Sequence, residues 1–251
     1  PNIEPNKRIR DNTTGLLCKS PLMIASVEGS TEIVELLLNH PGIQPNIQDS
    51  DGETPLMMAI YEGHTEIVEL LLNHSVIQPN IQDSNGETAL MKACKLGPTE
   101  IVEHLLNHPG IQPNIYNDDG ITALLVACVN ENTDIVKILT KHPEINPNIQ
   151  RYDGASPLLI ASQSGNTDIV KMLLDLFEIK PNIQVNDGAS PLIVASFEGN
   201  KDTVKLLLSH PSIEPNLKRA DGATALLMAC QKNNTDIVKL LVSHPSIDIN
   251  C

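Results

Sequence analysis

A single turn signal, repeated at a constant interval, limits what this chain can fold into. Asp51-Gly52, Asn85-Gly86, Asp119-Gly120, Asp153-Gly154, Asp187-Gly188 and Asp221-Gly222 stand 34 residues apart. Stepping back 34 from Thr54-Pro55-Leu56-Met57 reaches Ser20-Pro21-Leu22-Met23, so a seventh copy opens near Leu17. A constant period between about 20 and 50 residues marks a stacked array, in which each unit buries its apolar face only against a neighbour. The 251 residues therefore divide into 1–16 (the tail of a preceding copy and an irregular loop), 17–50, 51–84, 85–118, 119–152, 153–186, 187–220 and an incomplete 221–251.

Within one copy the local signals are those of two short helices and a turn. Thr54 offers an N-cap oxygen, and Pro55 at the first helical position lacks an N–H that would go unpaired there. Leu56, Met57, Ala59 and Ile60 form an apolar stripe at helical spacing, and Gly63 ends it. Thr65 reads as the cap of a second helix, with Glu66 in its first turn and Ile67, Val68, Leu70, Leu71 and Leu72 as its buried side. Asn73-His74 close that helix, and in most copies a proline after the histidine stops it, as at His40-Pro41. An extended piece such as Ile43-Gln44-Pro45-Asn46-Ile47 then leads into the next Asp-Gly turn.

These residues resemble the ankyrin repeat. Its pattern is present as Asp51-Gly52-Glu53-Thr54-Pro55-Leu56, Ala59, Gly63-His64, Ile67-Val68 and Leu71-Leu72, and it recurs over nearly the whole chain. Two departures matter. The family's histidine after Pro-Leu is replaced by Met23, Met57, Met91, Leu125, Leu159, Ile193 and Leu227, so apolar packing takes the place of a hydrogen-bond network. The second helix ends in His-Pro rather than Gly, and each unit is one residue longer. The resemblance implies an all-α solenoid of stacked helix-turn-helix units with short hairpin-like loops. It also implies a protein partner, held by the loop tips and the inward face of the first helix.

Four of the five aromatics occupy slots that the repeat itself does not demand: Tyr61 and Phe197 near the end of the first helix, Tyr116 and Tyr152 beside the turn. Aromatic side chains dominate interface hot spots. The same slots carry Glu53, Glu62, Glu87, Lys95, Leu96, Ile121, Val129, Glu198 and Lys232, which complete a candidate groove. The alternative is that these are scattered surface residues without a role. Phe177, with Leu176, stands where Asn-His-Pro is expected, and local packing at that corner is the expectation.

The formal charge of −14 argues against nucleic acid or an anionic membrane as the main partner. Residues 1–118 carry 6 Lys+Arg against 16 Asp+Glu, net −10, whereas 119–251 carry 11 against 15, net −4. On the second helix Glu35, Glu69 and Glu103 give way to Lys137, Lys171, Lys205 and Lys239, either a solvated back face or a surface polarised for ordered assembly. Lys7, Arg8 and Arg10 fall in a six-residue excess in the first connection, read as a loose terminal loop or a basic arm. The last copy keeps the internal apolar pattern at Leu226, Leu227, Ile237, Val238, Leu240 and Leu241. Stacking end to end into a longer array or filament is therefore the alternative function.

Cys94, Cys128 and Cys230 share a slot that elsewhere holds Ser or Ile, and neighbouring helices lie roughly 10 Å apart. That exceeds the span of about 4.4–6.8 Å a disulfide bridges, so they read as core thiols in a reducing, cytoplasmic setting. The same spacing keeps the recurring histidines (His40, His74, His108, His142, His210 and His244) from sharing a metal, and leaves them at a helix C-terminus that suits their charge. No P-loop, Gly-x-Ser-x-Gly, His-Glu-x-x-His or Cys-x-x-Cys is present, so neither enzyme activity, metal nor cofactor is expected. No apolar run is long enough to span a membrane. Because the chain opens on Pro1, it is expected to be a segment of a longer or processed protein.

Overall fold

The computed structural model describes residues 5–6 and 19–250, which form fourteen α-helices of seven to nine residues. They fall into two compact units, Pro1–Asp118 and Asp119–Cys251. The first holds α1 (Pro21–Val27), α2 (Thr31–Leu38), α3 (Pro55–Tyr61), α4 (Thr65–Leu72), α5 (Ala89–Leu96) and α6 (Thr99–Leu106). The second holds α7 (Ala123–Val129), α8 (Thr133–Leu139), α9 (Pro157–Ser164), α10 (Thr167–Leu174), α11 (Pro191–Glu198), α12 (Lys201–Ser209), α13 (Ala225–Gln231) and α14 (Thr235–Val242). In each unit the first helix of a repeat packs on the first helix of the next, and second helices pack likewise. The basic residues Lys7, Arg8 and Arg10, and the opening near Leu17, lie outside the described residues.

Every first helix starts on a hydroxyl. Ser20, Thr54, Thr88, Thr122, Ser156, Ser190 and Thr224 each accept the backbone N–H three residues on, at 3.3–3.4 Å. Helices this short do not persist alone in water, so their stability comes from burial. Val68, Val102, Val136, Val170 and Val204 on the second helices are fully buried, as are Ala59, Ala93, Ala127 and Ala161 on the first. The column that replaces the family's histidine is also buried at Met23, Met57, Met91, Leu125, Leu159 and Ile193. Leu227, in the last repeat, is 52% exposed, because among the described residues no further repeat lies against α13. Cys230 is exposed for the same reason, which corrects its reading as a core thiol; Cys94 and Cys128 are buried. Burial in apolar surroundings pushes the Cys128 thiol up to about 12.

The second helices begin differently from expectation. Thr65 is the first helical residue, and the cap position before it is His64. Asn132 and Asn166 fill that position with cap bonds, accepting from Ile135 N and Ile169 N. His64, Asn200 and Asn234 instead reach back to the preceding repeat. His64 Nε2 lies 3.0 Å from Val27 O, Asn200 Nδ2 donates to Ser162 O and Gln163 O, and Asn234 Nδ2 donates to Ser196 O.

Within each unit, two sets of amide side chains stitch repeats together, the glutamine set at Gln48, Gln82, Gln150 and Gln184 only. The asparagine of Pro-Asn donates to a carbonyl in the following loop and accepts an N–H two residues beyond it. Asn46 does so with Val76 O at 2.6 Å and Gln78 N at 2.9 Å, and Asn182 with Ser212 O at 2.6 Å and Glu214 N at 3.0 Å. Asn6 makes the same two bonds to Gly42 O and Gln44 N across 36 and 38 residues, where Asn46 spans 30 and 32. Two residues after that asparagine, a glutamine closes its own turn and reaches the next one. Gln48 Nε2 donates to Gly52 O and Gln82 O, and Gln82 to Gly86 O and Tyr116 O. The tips approach closely enough to require glycine. Gly86 has φ +75°, and a Cβ there would lie 2.8 Å from Asp118 N.

Local packing does not cover the irregular corner of the fifth repeat. Phe177 is fully exposed, although the turn bonds Leu176 N→Leu173 O and Ile179 N→Leu176 O are those of the other repeats. Proline fills this slot at Pro41, Pro109, Pro143, Pro211 and Pro245. Phe177→Pro is therefore expected to stabilise the chain by about 0.4–1 kcal/mol, by restricting the unfolded state, as read from urea denaturation. Asn182→Ala, which removes both ladder bonds at a solvated site, is expected to cost about 1–2 kcal/mol in the same measurement.

Candidate binding surface

The loop tips and the first helices share one face in each unit, and the two units wire their tips differently. In the first unit a carboxylate stands at the start of the turn. Asp49 Oδ1 accepts from Asp51 N and Glu53 N at 3.0 and 2.9 Å; Asp83 Oδ1 accepts from Asn85 N and Glu87 N, both at 2.9 Å. This turn delivers Glu53 and Glu87 to the head of the first helix. Lys92, on α5, then joins three carboxylates. Its Nζ lies 2.7 Å from Asp83 Oδ2, 3.1 Å from Glu53 Oε1 and 3.6 Å from Glu87 Oε2, and Lys95 reaches Glu87 at 3.7 Å.

Lys92 is only 8% exposed and stands in a column otherwise filled by Ile24, Met58, Val126, Ile160, Val194 and Met228. Burial alone would raise the Asp83 carboxyl, but the Lys92 ammonium and the Glu87 and Asn85 N–H groups outweigh it and hold it below 3.8. Burial likewise opposes charge on Lys92, yet its bonds to Asp83 and Glu53 keep it above 10.5.

In the second unit the accepting carboxylate moves two residues along. Arg151, Val185 and Arg219 take the place of Asp49 and Asp83, while Asp153, Asp187 and Asp221 accept from Ala155 N, Ala189 N and Ala223 N at 3.0, 2.9 and 3.1 Å. Alanine at 155 and 189, where the first unit has glutamates, opens a groove of about 440 Å³. Leu159, Ile160, Ile193, Val194 and Met228 line it with these alanines, and Arg151, Asp153, Asp187, Arg219, Phe197 and Glu198 border it. Both rim arginines are matched internally, whereas Glu198 makes no ion pair among the described residues. Arg151 pairs with Asp153, which raises the guanidinium and lowers the carboxyl, and Arg219 lies 3.1 Å from Asp187 and 3.7 Å from Asp221. Lys232 Nζ sits 4.0 Å above the centre of the Phe197 ring, a cation–π arrangement.

The family profile described as ankyrin repeats (three copies) matches residues 22–117, 109–185 and 176–251. The chain belongs to the ankyrin repeat family. Among solved structures, the ankyrin repeat domain of Bcl-3, titled a unique member of the IkappaB protein family, is 28% identical. It covers 88% of this chain and 98% of its own, with a TM-score of 0.76. The ankyrin repeat protein EF0377 is 25% identical, covers 89% of this chain and 97% of its own, and has a TM-score of 0.61. Comparison with curated protein sequences gives no match. Ankyrin repeats are in general protein–protein interaction modules, and no helix among the described residues is long and apolar enough to cross a membrane.

On this ankyrin framework the residues picked out from the sequence fall into separate groups. Lys92 gathers Glu53 and Glu87, and Lys95 reaches Glu87 as well. Phe197 and Glu198 border the groove of the second unit, with Lys232 over the ring. Tyr61, Glu62 and Leu96 are exposed at the ends of α3 and α5, and Tyr116 is exposed beside its turn, where its carbonyl accepts from Gln82. Tyr152 lays its ring against the backbone of Gly120. Ile121 is half-buried, and Val129 is exposed at the end of α7, away from the groove lining. Sequence reasoning passed over Arg151 and Arg219, whose signal is the shift of the turn carboxylate, and Lys92, whose signal is a cation in an apolar column.

The recurring histidines also bind the turn that follows the second helix. Nδ1 of His40, His108, His142, His210 and His244 accepts the backbone N–H two residues on, at 3.1–3.3 Å. Each ring thereby clamps the turn that follows its second helix. Among the described residues no group of three His, Cys, Asp or Glu side chains could hold a metal ion.

Lys92→Met is expected to destabilise the chain by about 1–3 kcal/mol, since Asp83 Oδ2 is left buried and unpaired, and Asp83→Asn in the same chain is expected to recover part of that. Asp83 is lowered in the folded state, so its contribution is present above its ordinary value of 3.8 and is lost as pH falls through the folded value. Urea denaturation at pH 7 and pH 3 checks both, with the gap between wild type and Lys92→Met narrowing at pH 3.

Proposed function

We propose that this chain is a scaffold that binds a protein partner on the face formed by its loop tips and first helices. The observation that carries the reading is the groove of the second unit. Its floor is apolar, its two rim arginines are already paired with aspartates, and an aromatic ring stands at its edge. Such a site takes an uncharged side chain readily, because no charged pair has to be broken to fill it. Tyr61 and Tyr116 offer a second set of anchors on the first unit, both rigid and largely free of local packing.

The lowered carboxyls Asp83, Asp153 and Asp236 are each tied to a cation rather than poised near neutrality as a general base would be. A partner recovered by affinity capture and confirmed by calorimetry with purified components tests the proposal. Phe197→Ala and Tyr61→Ala are each expected to weaken it by about tenfold or more, with the circular dichroism spectrum unchanged. Binding that both variants leave intact would place the interface elsewhere.

A further inference from the structure

The tip at Asp49 lacks a cation that the next tip supplies for itself. Asp49 and Asp83 hold their turns in the same way, each through Oδ1 and the N–H groups two and four residues on. These paired bonds give the two carboxylates the same orientation. Asp83 Oδ2 meets Lys92 Nζ at 2.7 Å. Asp49 is equally buried, at 8% exposure, and its Oδ2 has no hydrogen-bond partner. One repeat before Lys92 stands Met58. The free oxygen of Asp49 therefore points over Met58 as that of Asp83 points at the ammonium.

The surroundings favour a positive visitor. Glu53, half-buried and held on Oε1 by Lys92, stands to Asp49 as Glu87, which takes both Lys92 and Lys95, stands to Asp83, and Tyr61 is exposed at the end of α3. Lys19, one repeat before Glu53, makes no ion pair among the described residues, and residues 1–118 carry a net charge of −10 from 6 basic and 16 acidic residues. A buried carboxylate oxygen without a donor is costly, and an ammonium brought to it recovers that cost. Resting on the reading of this face as a protein-binding surface, we propose that Asp49 and Glu53 receive a lysine side chain of the partner polypeptide, whose ammonium takes the position held by Lys92 Nζ one repeat on as Met58, 3% exposed in the unbound chain, is displaced from it. Lys92 is the chain's own copy of the bound state.

n-Butylammonium chloride is the probe, and the ¹³C-methyl resonance of Met58 is the reporter. The wild-type chain is expected to give a saturable shift of that resonance, which sodium chloride at equal ionic strength and n-butanol do not produce. Asp49→Asn is expected to weaken the response at least tenfold. Asparagine keeps the turn acceptor, and Asn117 fills the same slot two repeats on. Met58→Lys supplies the ammonium from within and is expected to raise Tm by about 2–4 °C, to abolish the butylammonium response, and to lose both effects in the Asp49→Asn background. An equal response to n-butanol, an unchanged response in Asp49→Asn, or no rise in Tm with Met58→Lys would overturn the proposal. So would a response that appears only in Lys19→Ala, because the chain's own lysine would then fill the site. Loss of partner binding in Phe197→Ala, with no butylammonium response, would leave the scaffold reading standing and remove this one.

Discussion

No helix pair in this protein can hide its apolar side by itself, and the rest of the structure follows from that. Each helix spans two turns or so, too short to hold its shape alone, and each becomes stable when valines, leucines and alanines meet those of the adjoining repeat. Amide side chains then fix the spacing that burial alone leaves loose. Asn46, Asn148, Asn182 and Asn216 tie loop to loop, and Gln48, Gln82, Gln150 and Gln184 tie turn to turn. The apolar contacts supply most of the stabilisation, and the amides make one register the only register.

That division leaves the turn itself free to change, and the two units use the freedom differently. With the carboxylate at Asp49 or Asp83, the residue four positions on is a glutamate, and the face beside it is charged. With the carboxylate at Asp153 or Asp187, the same slot, now only two positions on, is alanine, the first position carries arginine or valine, and an apolar groove opens. A shift of the accepting role by two residues, together with alanine in place of glutamate, thus exchanges an electrostatic surface for a hydrophobic one.

Much of this was legible in the sequence, because it is local and it recurs. The period, the hydroxyl caps, the buried stripes and the Asp-Gly turns each depend on residues within one repeat. What escaped depends on residues from more than one repeat, or on space. The role of Lys92 needs Glu53 and Asp83 from the repeat before it as well as Glu87 from its own. The groove exists because of the small side chains of Ala155 and Ala189, and no motif announces a void. Thr65 looked like a cap because the residue before it varies; His64, Asn200 and Asn234 spend their side chains on the preceding repeat instead. Phe177 was expected to pack because it is large, but the corner it occupies has no neighbour within reach.

The glutamine and asparagine ladders carry a consequence for how such a chain changes over time. Their amide nitrogens donate to main-chain carbonyls, at Gly52, Val76, Gly110 and Ser212 among others, so the bonds are indifferent to which amino acid supplies the oxygen. A duplicated or transplanted repeat finds its docking points already in place whatever letters it brings. Selection is then left to edit the outward-facing positions one at a time, and recognition can diverge while the frame is inherited unaltered.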